Sequence, residues 1–360
     1  MIFGPVPVAR AEGAVLAHSV RLAGGRLRKG KRLEAADVAA LAGEGLSEVI
    51  VARFEPGDVG EDDAAQRVAA ALVRDPAAAG LRVSAPFTGR VNLLAAGPGV
   101  VELDEAVIQA VNLVDPMITV ATVPQHQQMG PGGMVATIKV ISYGVPGDAV
   151  ARAEACAGGR AMRLAGPVVG RVGLVMTVIP GGPDNAKGRA AVEGRVRALG
   201  LDMAGVVEVP HEAGALAGAL DGLEGDVLLI LTASATSDVM DVAPRAVRAA
   251  GGIVDRFGMP VDPGNLLFLG RLGDRPVIGL PGCARSPALN GADWVLSRVA
   301  CGLTPSAADI AAMGVGGLLK EIPTRPQPRA GRPAGAGGAG DGDRGAGARE
   351  PESFPKVTTT

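Results

Sequence analysis

The strongest constraint on the fold is the regular alternation of apolar strands with helical segments between Val168 and Leu303. Buried-strand patterns lie at 168–179, 204–209, 226–232 and 253–257, and helical patterns lie between them at 187–199, 212–223 and 241–250. Such alternation is typical of right-handed βαβ crossovers, which place parallel strands side by side with helices on both faces. The pattern therefore predicts a three-layer α/β domain over residues 165–305 with a mostly parallel sheet.

The end of this domain follows a different pattern. Two short strands, Leu266–Arg271 and Pro276–Leu280, are separated only by a turn, which predicts an antiparallel hairpin on the edge of the sheet. A closing helix at Asn290–Cys301 carries the only tryptophan of the chain.

The remaining sequence predicts smaller modules and a tail. Residues 1–83 mix short strands with helices at Glu34–Gly43 and Glu61–Val73, which indicates an α+β module. Residues 84–150 are rich in β-branched residues and Gly/Pro turns, which indicates a β-rich module. Residues 323–360 are rich in Gly and Pro and lack apolar periodicity, so we predict a disordered C-terminal tail.

Composition excludes several classes of function. The formal net charge is −2 and aromatic residues make up 2% of the chain, so the charge of a general nucleic-acid binder is missing and stacking platforms are scarce, although a local basic pocket is still possible. The three cysteines form no CxxC pair, which argues against a disulfide framework or a zinc cluster. Without a signal sequence or a long apolar span, we expect a cytoplasmic protein that binds neither membrane nor nucleic acid.

In a doubly wound sheet, ligands bind beyond the carboxyl ends of the strands, so the loops there are the places to search. The first loop reads TASATSDVMDVAP from Thr232 to Pro244. Its small side chains let backbone amides approach a phosphate, and the following helix dipole favours an anion. Asp241 stands at the helix start, where it is either an N-cap or a ligand and metal residue.

The second loop, FGMPVDPGNLLFLG, contains a tight turn at Pro263 and Gly264. This turn exposes Asp262 and Asn265 beside the hairpin. Taken alone, the pattern is compatible with a structural turn as well as with a binding loop.

The third loop reads GLPGCARSPALN, and in it Pro281 and Gly282 end a buried strand. Arg285 and Ser286 stand just before a helix, and an Arg with a hydroxyl and free amides makes a phosphate or carboxylate cradle. A structural turn is the alternative. Cys283 lies in this loop without a nearby His, which argues against covalent chemistry.

Other patterns carry less information. His18, His126 and His211 are widely separated and lack metal-ligand spacing, so they are more typical of surface or capping residues. The chain contains neither a P-loop nor a GxGxxG motif.

Together, the three loops resemble the molybdopterin-binding domain shared by molybdopterin adenylyltransferases, molybdopterin molybdotransferases and gephyrin-like proteins. The family motif T-G-G-T-G-x-x-x-x-D-V-x-P corresponds to Thr232–Pro244. The molybdotransferase-like pattern with GRLG and GLPG corresponds to Gly258–Gly282 and is the more specific of the two. The resemblance covers about 135 residues, and the N-terminal 165 residues look like accessory segments of a bacterial subgroup of molybdotransferase-like proteins.

The resemblance implies a molybdopterin-binding protein of molybdenum cofactor biosynthesis or delivery, acting in adenylyl transfer or molybdate insertion. Asp241 would hold Mg²⁺ or the transferred group, Asp184 would be a second catalytic acid, and ATP is the implied nucleotide. Homo-oligomers and a nucleotidyltransferase or molybdoenzyme partner are also implied. The pterin and its phosphate would contact residues of the three loops: Thr232, Ala233, Ser234, Ala235, Thr236, Asp262, Gly264, Asn265, Pro281, Gly282, Cys283, Arg285 and Ser286.

The sequence departs from the family pattern at three places. The glycine pair of the first loop is Ala233 and Ser234, and side chains there restrict positive φ and close phosphate approach. His211, followed by Glu212, replaces an expected acidic residue, and the usual Asn-Pro after the closing glycine has become Cys283-Ala284. These replacements favour binding over turnover.

Two other functions are compatible with the fold. One is a nucleotide pyrophosphatase or amidase of the competence-damage type, against which the GRLG and GLPG spacing argues. The other is a non-catalytic assembly protein for a molybdoenzyme, in which the altered first loop binds no small molecule.

Overall fold

The computed structural model describes residues 1–319, and the predicted disordered tail at 323–360 lies outside the described residues. Within residues 1–319 the fold is mixed α/β, and its largest sheet has six mostly parallel strands. No helix of this part of the chain is both long and apolar enough to cross a bilayer.

The first module has its own small core, built around Leu16, Leu33, Leu41 and Val51. Strands β1, β5 and β2 form one sheet in that order, and β3 pairs with β4. Helix α1 begins where it does because Glu34 and Asp37 form a capping box. The elements are β1 (Ile2–Pro7), β2 (Val15–Leu16), β3 (Val20–Leu22), β4 (Gly25–Leu27), α1 (Ala35–Gly43) and β5 (Glu48–Arg53).

The second core draws on residues from Ala64 to Leu164, and so on both sides of position 83. Helix α3 was not predicted from the sequence; Asp104 caps it by accepting a hydrogen bond from the Val107 amide. The elements are β6 (Asp58–Gly60), α2 (Glu61–Leu72), β7 (Leu81–Val83), β8 (Arg90–Ala95), β9 (Gly99–Leu103), α3 (Glu105–Asn112), β10 (Ile118–Thr122), β11 (Gln128–Met129), β12 (Met134–Val140), β13 (Gly144–Pro146), α4 (Gly147–Ala157) and β14 (Met162–Ala165).

The predicted α/β fold with a mostly parallel sheet is confirmed. Its sheet has the order β16-β15-β17-β20-β19-β18, in which β16, β15, β17 and β20 run parallel. The predicted hairpin is β19 and β20, and β18 pairs with β19 on its outer side. The elements are β15 (Arg171–Val178), α5 (Asn185–Ala198), β16 (Asp202–Pro210), α6 (Ala213–Gly222), β17 (Val227–Leu231), α7 (Val242–Ala249), β18 (Ile253–Phe257), β19 (Phe268–Leu272), β20 (Arg275–Leu280), α8 (Gly291–Ala300) and α9 (Ala307–Ala312).

Two apolar layers cover the sheet because its central strands are buried on both faces. Leu229 and Leu231 of β17 pack in one layer with α5, α8 and α9, whereas Leu228 and Ile230 pack in the other with α6 and α7. Strand β17 is buried along its whole length, as expected of the centre of a parallel sheet.

Register places the ends of four strands at one edge. Val178 of β15 lies opposite Pro210 of β16, and Leu231 of β17 lies opposite Leu280 of β20. The loops 179–184, 211–212, 232–241 and 281–290 therefore leave the sheet at the same edge, which is where ligands bind in open α/β sheets.

Candidate functional site

Thr177, near the end of β15, joins two of these loops. Its side chain is fully buried, and its Oγ1 accepts a hydrogen bond of 2.8 Å from the Ala233 amide. The same oxygen lies 2.9 Å from Nδ1 of His211. A single buried hydroxyl thus fixes the first loop and the residue after β16 relative to each other.

This contact selects a tautomer for His211. The hydroxyl of Thr177 is already an acceptor for the Ala233 amide, and a buried hydroxyl proton needs an acceptor of its own. Nδ1 of His211 is in position to accept it, which in the neutral ring puts the proton on Nε2. His211 is half-buried, so its Nε2–H is available as a donor at this edge.

Two threonines of the first loop stabilise its turn. The Thr232 hydroxyl donates to the Ser234 carbonyl at 2.6 Å and lies 3.3 Å from the Thr236 hydroxyl, and both threonines are buried. Within residues 1–319, the amides of Ser234, Ala235 and Thr236 donate to no protein acceptor. Because Ser234 and Ala235 are exposed, the loop presents adjacent unpaired N–H groups, the arrangement that binds anions.

Arg285 brings the third loop onto the first. It ends a 3₁₀ turn, Gly282–Arg285, and donates from Nη2 to the Thr232 carbonyl at 2.9 Å and from Nη1 to Oδ1 of Asn185 at 3.0 Å. Burial lowers the pKa of Arg285, while the carboxylates of Asp184 and Glu208 act in the opposite direction. A guanidinium has five N–H donors and stays charged, so Arg285 keeps donors for a further anionic group.

Arg195 of α5 stabilises the backbone of the third loop through hydrogen bonds. It is 8% exposed and its Nε donates to Oδ1 of Asp293 at 2.7 Å. Its Nη atoms donate to the carbonyls of Ala284 at 2.8 Å, Ser286 at 2.7 Å and Ala288 at 3.0 Å. The backbone that carries Arg285 is thereby fixed.

Other predicted residues of the third loop lie at its surface or support its turn. Pro281 is buried, whereas Gly282 and Ser286 are exposed. The Ser286 amide donates to the Cys283 carbonyl, which closes the turn. Burial raises the pKa of the Cys283 thiol, and the carboxylates of Asp262 and Asp293 raise it further although Arg195 lowers it.

Both predicted catalytic acids cap helices. Asp241 accepts from the Val242 amide at 2.7 Å and, on its other oxygen, from the Ser237 amide at 3.0 Å. Asp184 accepts from the Ala186 amide at 2.9 Å at the start of α5. Of the two roles left open for Asp241, the structure shows the capping one, and its catalytic role stays a prediction.

The second loop packs mainly against α8. A Cβ on Gly264 would lie 2.6 Å from the Gly291 nitrogen, so only glycine fits there. The Asp262 amide donates to the Gly317 carbonyl, and the side chains of Asp262 and Asn265 are exposed. Asp262 lies close enough to Cys283 to affect its pKa, but within the described residues no hydrogen bond connects it to the 232–236 loop.

Sequence reasoning missed four residues of this edge: Thr177, Asn185, Arg195 and His211. His211 was interpreted as a surface or capping residue, although its departure from the family pattern was a usable signal. Arg195 sits on the inner face of a predicted helix, where a charge needs a partner.

The two predicted acids, Asp241 and Asp184, are poorly placed to hold Mg²⁺. In the described part of the chain, no group of three or more His, Cys, Asp or Glu side chains is arranged to hold a metal ion. Asp241 and Asp184 point at the amides of helix starts, where the helix dipole disfavours a cation. Arg285 adds a fixed positive charge near Asp184.

Two cavities of the described chain lie away from the 232–236 loop. A cavity of 510 Å³ lies against α3 and one of 330 Å³ lies between α5 and α8, and the 232–236 loop lines neither. A ligand here would be held by groups at the ends of strands and helices.

A family model and a solved structure are similar to this chain. Residues 5–53 match the model of a family described as a domain of unknown function (DUF8806), and no curated protein matches the chain. Among solved structures, the molybdopterin biosynthesis MoeA protein from Pyrococcus horikosii is similar at 14% identity and a TM-score of 0.28. That match covers 84% of this chain and 75% of the other.

Proposed function

We propose that the carboxyl edge of the large sheet binds molybdopterin through its phosphate, and that the protein acts in molybdenum cofactor biosynthesis or delivery. The observation that carries the proposal is the hydrogen bond from Arg285 to the Thr232 carbonyl, which brings together the two loops that resemble the family motifs. The unpaired amides at 234–236 lie in the same loop as that carbonyl.

The chemistry of these groups suits a phosphate. Backbone N–H groups and an Arg guanidinium give charge-assisted hydrogen bonds to phosphate oxygens, and the start of α7 adds a favourable dipole. Arg195 and Thr177 fix the two loops before a ligand arrives, so less ordering is required on binding.

Binding without turnover is the form of the proposal that the side chains support best. Both oxygens of Asp241 accept backbone hydrogen bonds, so the carboxylate serves the loop and helix rather than standing free. Incubation with molybdopterin, ATP and Mg²⁺ distinguishes the two activities. Retention of the pterin without nucleotide consumption indicates a carrier, whereas adenylated pterin indicates a transferase.

A glycine pair in α5 provides a matched test of the site. A Cβ on Gly188 would lie 2.9 Å from Nη1 and 3.3 Å from Cγ of Arg285, and 3.1 Å from Cδ2 of Leu231, so Gly188→Ala displaces the Arg285 side chain and presses on Leu231. Gly194→Ala, in the same helix, meets no atom within 4 Å. We expect Gly188→Ala to weaken molybdopterin binding about tenfold or more, given about 1.5–3 kcal/mol for a charged hydrogen bond.

The measurement is a binding titration of the full chain with purified molybdopterin. Gly194→Ala should bind as the native protein does and be slightly more stable, because alanine favours a helix interior. Equal affinity of the Gly188→Ala and native proteins, with both folded, would remove Arg285 from the site.

A further inference from the structure

His211 places a hydrogen-bond donor at this edge of the sheet, where a site built around carboxylates would have only acceptors. It occupies the position after β16, and its Nδ1 lies 2.9 Å from Thr177 Oγ1. Thr177 Oγ1 in turn accepts the Ala233 amide, and the Thr177 carbonyl lies 3.4 Å from Nδ2 of Asn185. Asn185 Oδ1 accepts from Arg285, so a connected set of hydrogen bonds runs from His211 to the guanidinium.

The groups connected in this way are hydrogen-bond donors rather than metal ligands. With Nδ1 facing Thr177, the neutral His211 ring carries its N–H on Nε2. Arg285 contributes a permanent positive charge and the 234–236 loop contributes unpaired amides. All three kinds of group bind an anion directly.

Two of the nearby carboxylates, Asp241 and Asp184, are engaged as helix caps. Asp241 and Asp184 accept helix-start amides, while Asp184 and Glu208 lie close enough to Arg285 to counter the effect of burial on its pKa. Mg²⁺ prefers oxygen ligands in near-octahedral geometry, and a cation here would meet the Arg285 charge and the positive ends of two helices. A phosphate without a metal meets neither obstacle.

We propose that His211, Arg285 and the 234–236 amides hold the pterin phosphate directly, so that binding of this phosphomonoester needs no divalent cation. The inference rests on the proposed function and narrows the ligand class to a metal-free phosphomonoester rather than a magnesium nucleotide.

The first experiment measures the affinity of the full chain for purified molybdopterin in excess EDTA and again in excess Mg²⁺. We expect the two dissociation constants to agree within about threefold. A larger loss of affinity in EDTA that Mg²⁺ reverses would overturn the inference and leave the proposed function standing. Failure to bind in both media would overturn the proposed function and this inference with it.

The second experiment changes the donor at position 211. His211→Asp places a carboxylate beside the phosphate, so binding in EDTA should weaken about tenfold or more, and Mg²⁺ should recover part of it. His211→Asn, a neutral control, should weaken binding in both media without recovery by Mg²⁺. Native affinity of the folded His211→Asp protein in EDTA would show that His211 does not contact the ligand.

Thermal unfolding of both variants separates a loss of contact from a loss of fold. Should His211→Asp fail to fold, the comparison of EDTA with Mg²⁺ on the native protein and on His211→Asn still decides the question.

Discussion

Replacement of Arg195 by methionine tests how the third loop is held. Methionine keeps much of the side-chain volume but removes the ion pair with Asp293 and the donors to three loop carbonyls. Breaking a buried ion pair costs about 3–5 kcal/mol. Asp293 keeps one bond from the Asn290 amide, which reduces the cost, whereas the buried carbonyl of Ala284 loses its partner, which raises it.

We therefore expect Arg195→Met to lower the free energy of unfolding of the α/β domain by about 3–5 kcal/mol. For a domain of this size, that corresponds to a fall of about 10 °C in the unfolding midpoint. Because Arg285 lies on the same loop, affinity for molybdopterin should fall as well.

Calorimetry and urea unfolding followed by the fluorescence of the single tryptophan, Trp294 in α8, measure the change. Arg189→Ala is the control, since Arg189 is an exposed residue of the same helix whose partner, Glu193, lies one turn away. Its removal should cost at most about 0.5 kcal/mol. A loss below about 1 kcal/mol for Arg195→Met would refute the view that Arg195 anchors this loop.

Three further changes test other parts of the domain. Thr177→Val should lower the free energy of unfolding by about 1–3 kcal/mol and weaken ligand binding, because the Ala233 amide and the His211 imidazole lose their partner. Thr177→Ser retains the hydroxyl, so its stability in unfolding assays and its affinity in binding assays should match those of the native protein. Hydrogen bonds from the backbone amides of Arg171 and Gly170 lower the pKa of Asp226. The ionised Asp226 therefore stabilises the fold above the ordinary carboxyl pKa, and this stabilisation is lost as pH falls. The difference in unfolding midpoint between the native protein and Asp226→Asn should thus be largest near neutral pH and shrink below about pH 4; a constant difference would exclude this cause. Gly279→Ala forces a Cβ into the buried Phe268 ring and should lower the free energy of unfolding by about 3 kcal/mol or more. A variant with native-like yield of folded protein and a native-like unfolding midpoint would contradict this packing.

Local patterns were sufficient for the elements of the α/β domain up to α8, whereas α9 was not predicted. The continuous apolar run at Val227–Leu231 and the helical spacing on either side of it specify a buried parallel strand between crossovers. The cap at Asp241 was also readable, because a cap depends on residues adjacent in sequence. Helix α3 was not readable, since Val107 and Ile108 lie within a β-branched segment and packing against α4 and β10 decides the outcome.

The site was predictable only as a set of loops. Its groups meet through hydrogen bonds between residues far apart in the chain: Thr177 and His211 are 34 positions apart, Thr177 and Ala233 are 56, and Arg195 and Asp293 are 98. No pattern in the neighbourhood of His211 indicates that its ring meets a buried hydroxyl. The sequence by itself determined which strands carry loops to one edge, because strand and helix periodicity is local. The tertiary structure decided which side chains meet there, because the register of parallel strands and the burial of Thr177 and Arg195 depend on the whole sheet.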